Sequence, residues 1–222
     1  MDTFSPHTGF TRKELTLAIG LLCMGISCFA LAQEPAKAGA DLAAAVKKAR
    51  AIHTLLTAWA QDNDQAYPAA PQFSNEAFRE LFKRRLVDNE DVFAIPGDAW
   101  HKNSTSGTGP DGNYGTAPEF AEALASGECA FAYVSGLDTP SSSRTPLIAN
   151  AFSHSVGVYS KSTSQKGGVF GGTKSFYVSV GGSAHTVDLS SDCKVMVKYG
   201  PRILDVFSND FGTNPDDVKN PL

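Results

Sequence analysis

The chain has 222 residues, 42% of them hydrophobic, which is enough to bury one core and favours one modest domain over two. A formal net charge of -4, with no cluster of five or more Lys and Arg, gives no general attraction to a phosphate backbone. Nucleic acid is therefore excluded as an expected partner.

The first informative element is the uncharged run LTLAIGLLCMGISCFALA, from Leu15 to Ala32. At about 1.5 Å per helical residue it nearly spans a hydrocarbon core of about 30 Å. Arg12 and Lys13 immediately before it hold the N-terminus on the cytoplasmic side under the positive-inside tendency, so everything after Glu34 is exported. Two processing routes fit these residues. Arg12 and Lys13, the apolar stretch Leu15 to Phe29 and the Ala30-Leu31-Ala32 site before Gln33 make a secretory signal peptide. The alternative starts from GFTRKE, Gly9 to Glu14.

That segment, followed directly by the apolar run, resembles the prepilin peptidase motif of type IV pilins and type II secretion pseudopilins. The match rests on Gly9, Phe10, Thr11 and Glu14, while Arg12 and Lys13 stand where the family has apolar residues. The resemblance implies processing between Gly9 and Phe10, an N-methylated new terminus, and a retained helix that packs with other pilin-like subunits. It also implies a subunit-assembly role for Glu14, whose carboxylate would neutralise a neighbour's free amine, since unpaired burial of a charge is costly. The expected organisation is a leader over 1–9, a transmembrane prepilin-type helix over 10–34, an amphipathic helix over 35–66, an extracytoplasmic globular part over 67–207, and a flexible polar tail over 208–222.

Pro35 and Gly39 interrupt the first helix, and a second begins near Asp41. Leu42, Val46, Ala49, Ile52, Leu56, Trp59 and Ala60 recur at three- and four-residue spacing and predict one stripe that a sheet would cover. The helix ends in QDNDQAYP, an acidic, Asn-containing stretch before Tyr-Pro that is also similar to the pilin-like pattern. His53, beside the stripe, is expected as a partly buried helix histidine. Next, Ser74 or Asn75 caps a helix whose buried face is Phe78, Leu81 and Phe82, with Lys83, Arg84 and Arg85 near its C-terminal end.

Residues 97–117 are rich in Gly, Ser, Thr, Asn and Asp and predict a long surface loop, and Pro118 to Ala125 predicts a short helix stopped at Gly127. Five strands follow: Ala130–Val134, Pro146–Phe152, Phe176–Val180, His185–Leu189 and Val195–Tyr199. Gly181-Gly182 joins the third and fourth as a tight hairpin. The fold class expected is α+β, a long N-terminal helix packed on a late antiparallel sheet.

Sites of chemistry are sparse. HExxH, GxSxG, GxGxxG and the P-loop pattern do not occur, and Gly167-Gly168 and Gly171-Gly172 lack the Gly-Lys-Ser/Thr a phosphate cradle needs. Ser191 and Lys194 have S-x-x-K spacing, here in a turn between strands. Cys129 and Cys193 are either a disulfide formed in an oxidising periplasm or two buried thiols. Some pseudopilins bind calcium near the C-terminus, and Asp210, Asn214, Asp216 and Asp217 offer oxygen ligands, although their spacing matches no calcium loop. No catalytic residue, cofactor or metal site is expected. The leading expectation is a pilin-like or pseudopilin-like structural subunit, single-pass in the bacterial inner membrane, with its C-terminal domain periplasmic or extracellular; its partners would be the membrane, prepilin peptidase and other pilin-like subunits. The competing expectation is a periplasmic binding or enzymatic domain released after Ala32, with a ligand in the loop from Gly97 to Ala117.

Overall fold

A computed structural model describes residues 41–102 and 109–222. The expected leader over 1–9, the expected prepilin-type helix over 10–34 and the expected joint at Pro35 and Gly39, and with them Gly9, Phe10 and Glu14, lie outside the described residues. Among the described residues no helix is long and apolar enough to cross a membrane.

Helix α1 covers residues 41–61. Leu42, Ala45, Ala49, Ile52, Leu56 and Ala60 are buried at the expected three- and four-residue spacing. Val46 and Trp59 sit at the edge of the stripe and are only partly buried, while Ala45, not counted in the sequence pattern, is at its centre. Three alanines on that stripe let the helix approach its cover closely. The helix stops where Asp64 and Gln65 take positive φ values of 53° and 66°.

Helix α2 runs Ser74–Lys83 and buries Ala77, Phe78, Leu81 and Phe82. Its N-terminus departs from the expected capping. Phe73 is the N-cap, and Glu76 Oε2 accepts the amides of Gln72 at 2.7 Å and Phe73 at 2.9 Å. Ser74 and Asn75 instead face inward, donating to the carbonyls of Phe131 and Leu124, both at 2.7 Å. A 3-10 turn follows at Glu90–Phe93 and a short helix, α3, at Ala99–Lys102.

The main sheet has five strands: β1 Phe131–Val134, β2 Pro146–Asn150, β3 Lys174–Ser179, β4 Ala184–Asp188 and β7 Val218–Lys219. Their order is β4-β3-β2-β1-β7, antiparallel throughout. Along β1 and β3, Phe131, Tyr133, Phe176 and Val178 join one buried cluster, with α1 and α2. Ala132, Val134 and Tyr177 join another, so the two clusters occupy opposite faces of the sheet. A two-stranded ribbon, β5 Met196–Tyr199 with β6 Arg202–Asp205, belongs to the second side, where Val195, Val206 and Phe207 are buried. The α+β class with an antiparallel sheet is therefore observed.

Four differences from the sequence expectation have physical reasons. The β3–β4 connection covers residues 180–183, and only Gly182 of the glycine pair takes positive φ, at 79°. A Cβ there would meet the His53 ring at 3.2 Å, which places α1 close against this turn; His53 Nε2 is 2.9 Å from the Val180 carbonyl oxygen. The fifth expected strand leaves the main sheet because it pairs with β6, a strand the sequence reading did not foresee. Residues 118–125 form turns rather than a helix, with positive φ at Phe120 and Leu124. Finally, the segment 208–222 holds two 3-10 turns and β7, which pairs Lys219 with Tyr133 and Val218 with Val134. Asn220 clamps Phe152, accepting its amide at 2.9 Å and donating to its carbonyl at 3.0 Å, and the Leu222 amide donates to Asn75 Oδ1 at 2.8 Å.

Candidate functional site

The turn segment before β1 is shaped by carboxylates. Leu124 N donates to Glu90 Oε1 at 2.7 Å and Ala125 N to Glu128 Oε2 at 2.6 Å. Amides that a helix over 118–125 would bond internally are thus taken by buried acids, which is why that helix does not form. The second oxygen of Glu90 accepts Gly112 N at 3.1 Å, fixing the loop that carries Asp111.

Glu90, Asp111 and Glu128 consequently meet, with one carboxylate oxygen from each lying within 4.8 Å of the others. Glu90 and Glu128 are each 1% exposed, whereas Asp111 is on the rim and exposed to solvent. Burial, and then the neighbouring Glu90 carboxylate, push the Glu128 carboxyl up to about 7, with the Ala125 amide opposing. Glu90 is raised as well, by burial first, against the opposing pull of the Leu124 and Gly112 amides. Tyr114 stands beside the group, packed on Phe82 at 5.4 Å between ring centroids; burial and the charges of Glu90, Asp88 and Asp91 raise its hydroxyl. Chemically the cluster has two ways to relieve its repulsion. It can keep a proton on Glu128, or place oxygens around a hard cation of the calcium or magnesium type, which prefers such ligands. With one oxygen from each carboxylate the three supply fewer than the roughly six to eight that calcium takes, so backbone carbonyls or water would complete such a shell.

Sequence reasoning did not group these three residues. They are spread from position 90 to 128, and only their shared service to the 109–125 turns brings them together. One signal was available. Glu128 directly precedes the apolar Cys129 to Val134, so an acid is carried into the core edge.

The residues singled out from sequence fall elsewhere. Cys129 and Cys193 are both free and buried, and they belong to the two different core clusters, so they are not a disulfide here. Burial pushes the Cys129 thiol up to about 12, which makes it a packing group and a poor nucleophile. Ser191 is exposed, and Lys194 turns to Asp205 at 3.1 Å rather than to a serine. Of the other polar residues, His185 stacks on Tyr177 with 4.6 Å between ring centroids, and His154 is exposed. Asn214 caps a turn by accepting Asp216 N at 3.2 Å and bonds Asp217 Oδ2 at 3.0 Å, so the C-terminal acids serve local turns. Gly168 is packed so tightly that a Cβ would lie 1.8 Å from the Ser162 carbonyl oxygen, which makes its segment a close-packed connection, not a loose one. Gly9, Phe10 and Glu14 lie outside the described residues.

Compared with known proteins, the chain matches no protein-family model, no curated protein and no solved structure.

Proposed function

We propose that the chain is a pilin-like or pseudopilin-like structural subunit, held in the bacterial inner membrane by its N-terminal apolar segment, with the α+β head on the periplasmic or extracellular side. One observation carries this reading: GFTRKE, Gly9 to Glu14, opens directly onto the uncharged run from Leu15 to Ala32. The architecture that follows is consistent with it, since α1 lays its alanine-rich stripe under an antiparallel sheet. In this reading prepilin peptidase cuts after Gly9, Phe10 becomes the N-terminus, and Glu14 pairs with the amine of an adjacent subunit. The head's work is packing against other pilin-like subunits, with no turnover.

A second reading rests on Ala30-Leu31-Ala32, a signal-peptidase site that would release a periplasmic domain beginning at Gln33. Intact mass of the mature chain separates the two. The pilin-like reading expects a start at Phe10 with one added methyl group, and recovery in the membrane pellet after a salt wash. A start at Gln33, with the protein in the supernatant, overturns it in favour of the released domain.

A further inference from the structure

Ser142 and Arg144, Tyr199 at the end of β5, and the 3-10 turn Asn209–Phe211 line a cleft of about 280 Å³. The backbone of each wall is tied down. Thr145 N donates to the Ser142 carbonyl at 2.9 Å and Gly181 N to the Ser143 carbonyl at 3.0 Å, which fixes the first wall to the β3–β4 connection. Tyr199 pairs with Arg202 across the β5–β6 ribbon. The 3-10 turn closes on Gly212 at a φ of 91°, a value that favours glycine. Buried Thr213 then anchors it, donating from its hydroxyl to the Val206 carbonyl at 3.0 Å.

The side chains on this fixed frame are unspent. Arg144 lies over the Tyr199 ring, 4.7 Å from its centroid, and Phe211 meets that ring edge-on with 6.4 Å between centroids. Beyond that ring contact, Arg144 makes no hydrogen bond or ion pair among the described residues, and neither do the side chains of Asp210, Asn209 and Ser142. Two opposite charges thus line one cleft without neutralising each other. A lone anion entering here would gain Arg144 but meet the Asp210 carboxylate, and a lone cation would meet the reverse. An uncharged ligand would strip water from both charges and return no counter-charge. A ligand bearing both charges satisfies both, because a guanidinium's fork of N–H donors matches a carboxylate and a carboxylate accepts from an ammonium. Pockets for drug-sized ligands hold about 300–1,000 Å³, so this cleft suits a smaller molecule.

We propose that this cleft binds a free α-amino acid with an apolar or aromatic side chain. Arg144 takes its carboxylate, Asp210 its ammonium, and the rings of Tyr199 and Phe211 its side chain. The Ser142 hydroxyl and the Asn209 amide are further partners for the two charged groups. A frame already held by its own backbone bonds needs little ordering when the ligand enters. The site goes beyond the pilin-like reading and does not depend on it, since every wall lies in the head.

The test titrates L-phenylalanine and L-leucine into the full-length chain in detergent micelles, by calorimetry and ligand-observed NMR. Hydrocinnamate, which lacks the ammonium, phenethylamine, which lacks the carboxylate, and glucose are titrated beside them. Saturable binding of L-phenylalanine or L-leucine is expected, with a Kd of about 1 mM or tighter. Hydrocinnamate and phenethylamine should each bind about tenfold or more weakly than L-phenylalanine, the usual worth of a hydrogen bond to a charged group. Arg144→Gln should bind L-phenylalanine no better than phenethylamine, and Asp210→Asn should bind it no better than hydrocinnamate. Both positions are exposed, so both variants should melt with the parent and the losses report the site rather than the fold. No saturation by either amino acid up to about 10 mM overturns the inference. Equal or tighter binding of hydrocinnamate, phenethylamine or glucose overturns it as well, as does amino-acid binding that either variant leaves unchanged. The mature N-terminus, which decides between a retained and a released chain, is untouched by any of these results.

Discussion

Removing residues 218–222 is expected to unfold the head, or to cost more than about 5 kcal/mol, most of the roughly 5–15 kcal/mol that holds a typical domain. The deletion removes β7 from the edge of β1. It also strips partners from groups that stay behind: Ser74 N loses the Asn220 carbonyl, Gly127 N loses the Leu222 carbonyl, and the side chain of Asn75, a buried residue, loses the Leu222 amide. The Phe152 amide and carbonyl lose the Asn220 side chain at the same time. A buried polar group left without a partner costs about 1–3 kcal/mol, and these losses fall together in one small region. Asn220→Ala alone should cost about 1–3 kcal/mol, since it leaves both Phe152 backbone groups unpaired while keeping β7. Leu222→Ala should stay within about 0.5 kcal/mol, because that side chain is 41% exposed and only its backbone is used. Thermal melting of the three variants checks the ranking. A deletion that melts like the full chain would mean that the C-terminus is decoration.

That segment is also where local sequence was least readable. Its Asp, Asn and Pro content signals turns, and the turns are there, at Asn209–Phe211 and Pro215–Asp217. What composition does not carry is that two residues, Val218 and Lys219, find an open strand edge at β1. Strand β6 was hidden for a related reason: Arg202 and Ile203 are exposed and Leu204 and Asp205 half-exposed, so no inward and outward alternation marks it. The main strands were legible because Phe176, Tyr177 and Val178 alternate between two real faces, and α1 because its stripe is set by sheet contact. Ser74 and Asn75 have the residue types of caps, but capping is decided by where the chain enters the helix. Here Phe73 enters with Glu76 reaching back to it, and the two small polar side chains are left to bridge α2 to β1 and to the turn at Leu124. The carboxylate cluster was illegible because Glu90, which ties it together, satisfies backbone amides far from it in sequence, 34 positions away at Leu124 and 22 at Gly112.

Glu128 turns that cluster into a pH dependence whose sign is opposite to the usual one for an acid. Its carboxyl rises from 4.5 in the open chain to about 7 in the folded head, so the folded state holds the proton more tightly. The stabilisation that this proton provides is fully present below about 4.5 and is lost as pH rises through about 7. Such a rise corresponds to about 3 kcal/mol between the two protonation states. Solvent reaching the cluster past the exposed Asp111 reduces the expected effect to about 1–2 kcal/mol. Glu128→Gln keeps an oxygen to accept the Ala125 amide and removes the charge that repels Glu90. The variant should match the parent near pH 5 and melt about 2–8 °C higher at pH 8, the shift expected for that free energy in a head of this size. Parallel melting curves at the two pH values test this. Equal melting temperatures at pH 8, or a variant less stable there, would show that the folded head holds Glu128 ionised, with its charge compensated by something other than a proton.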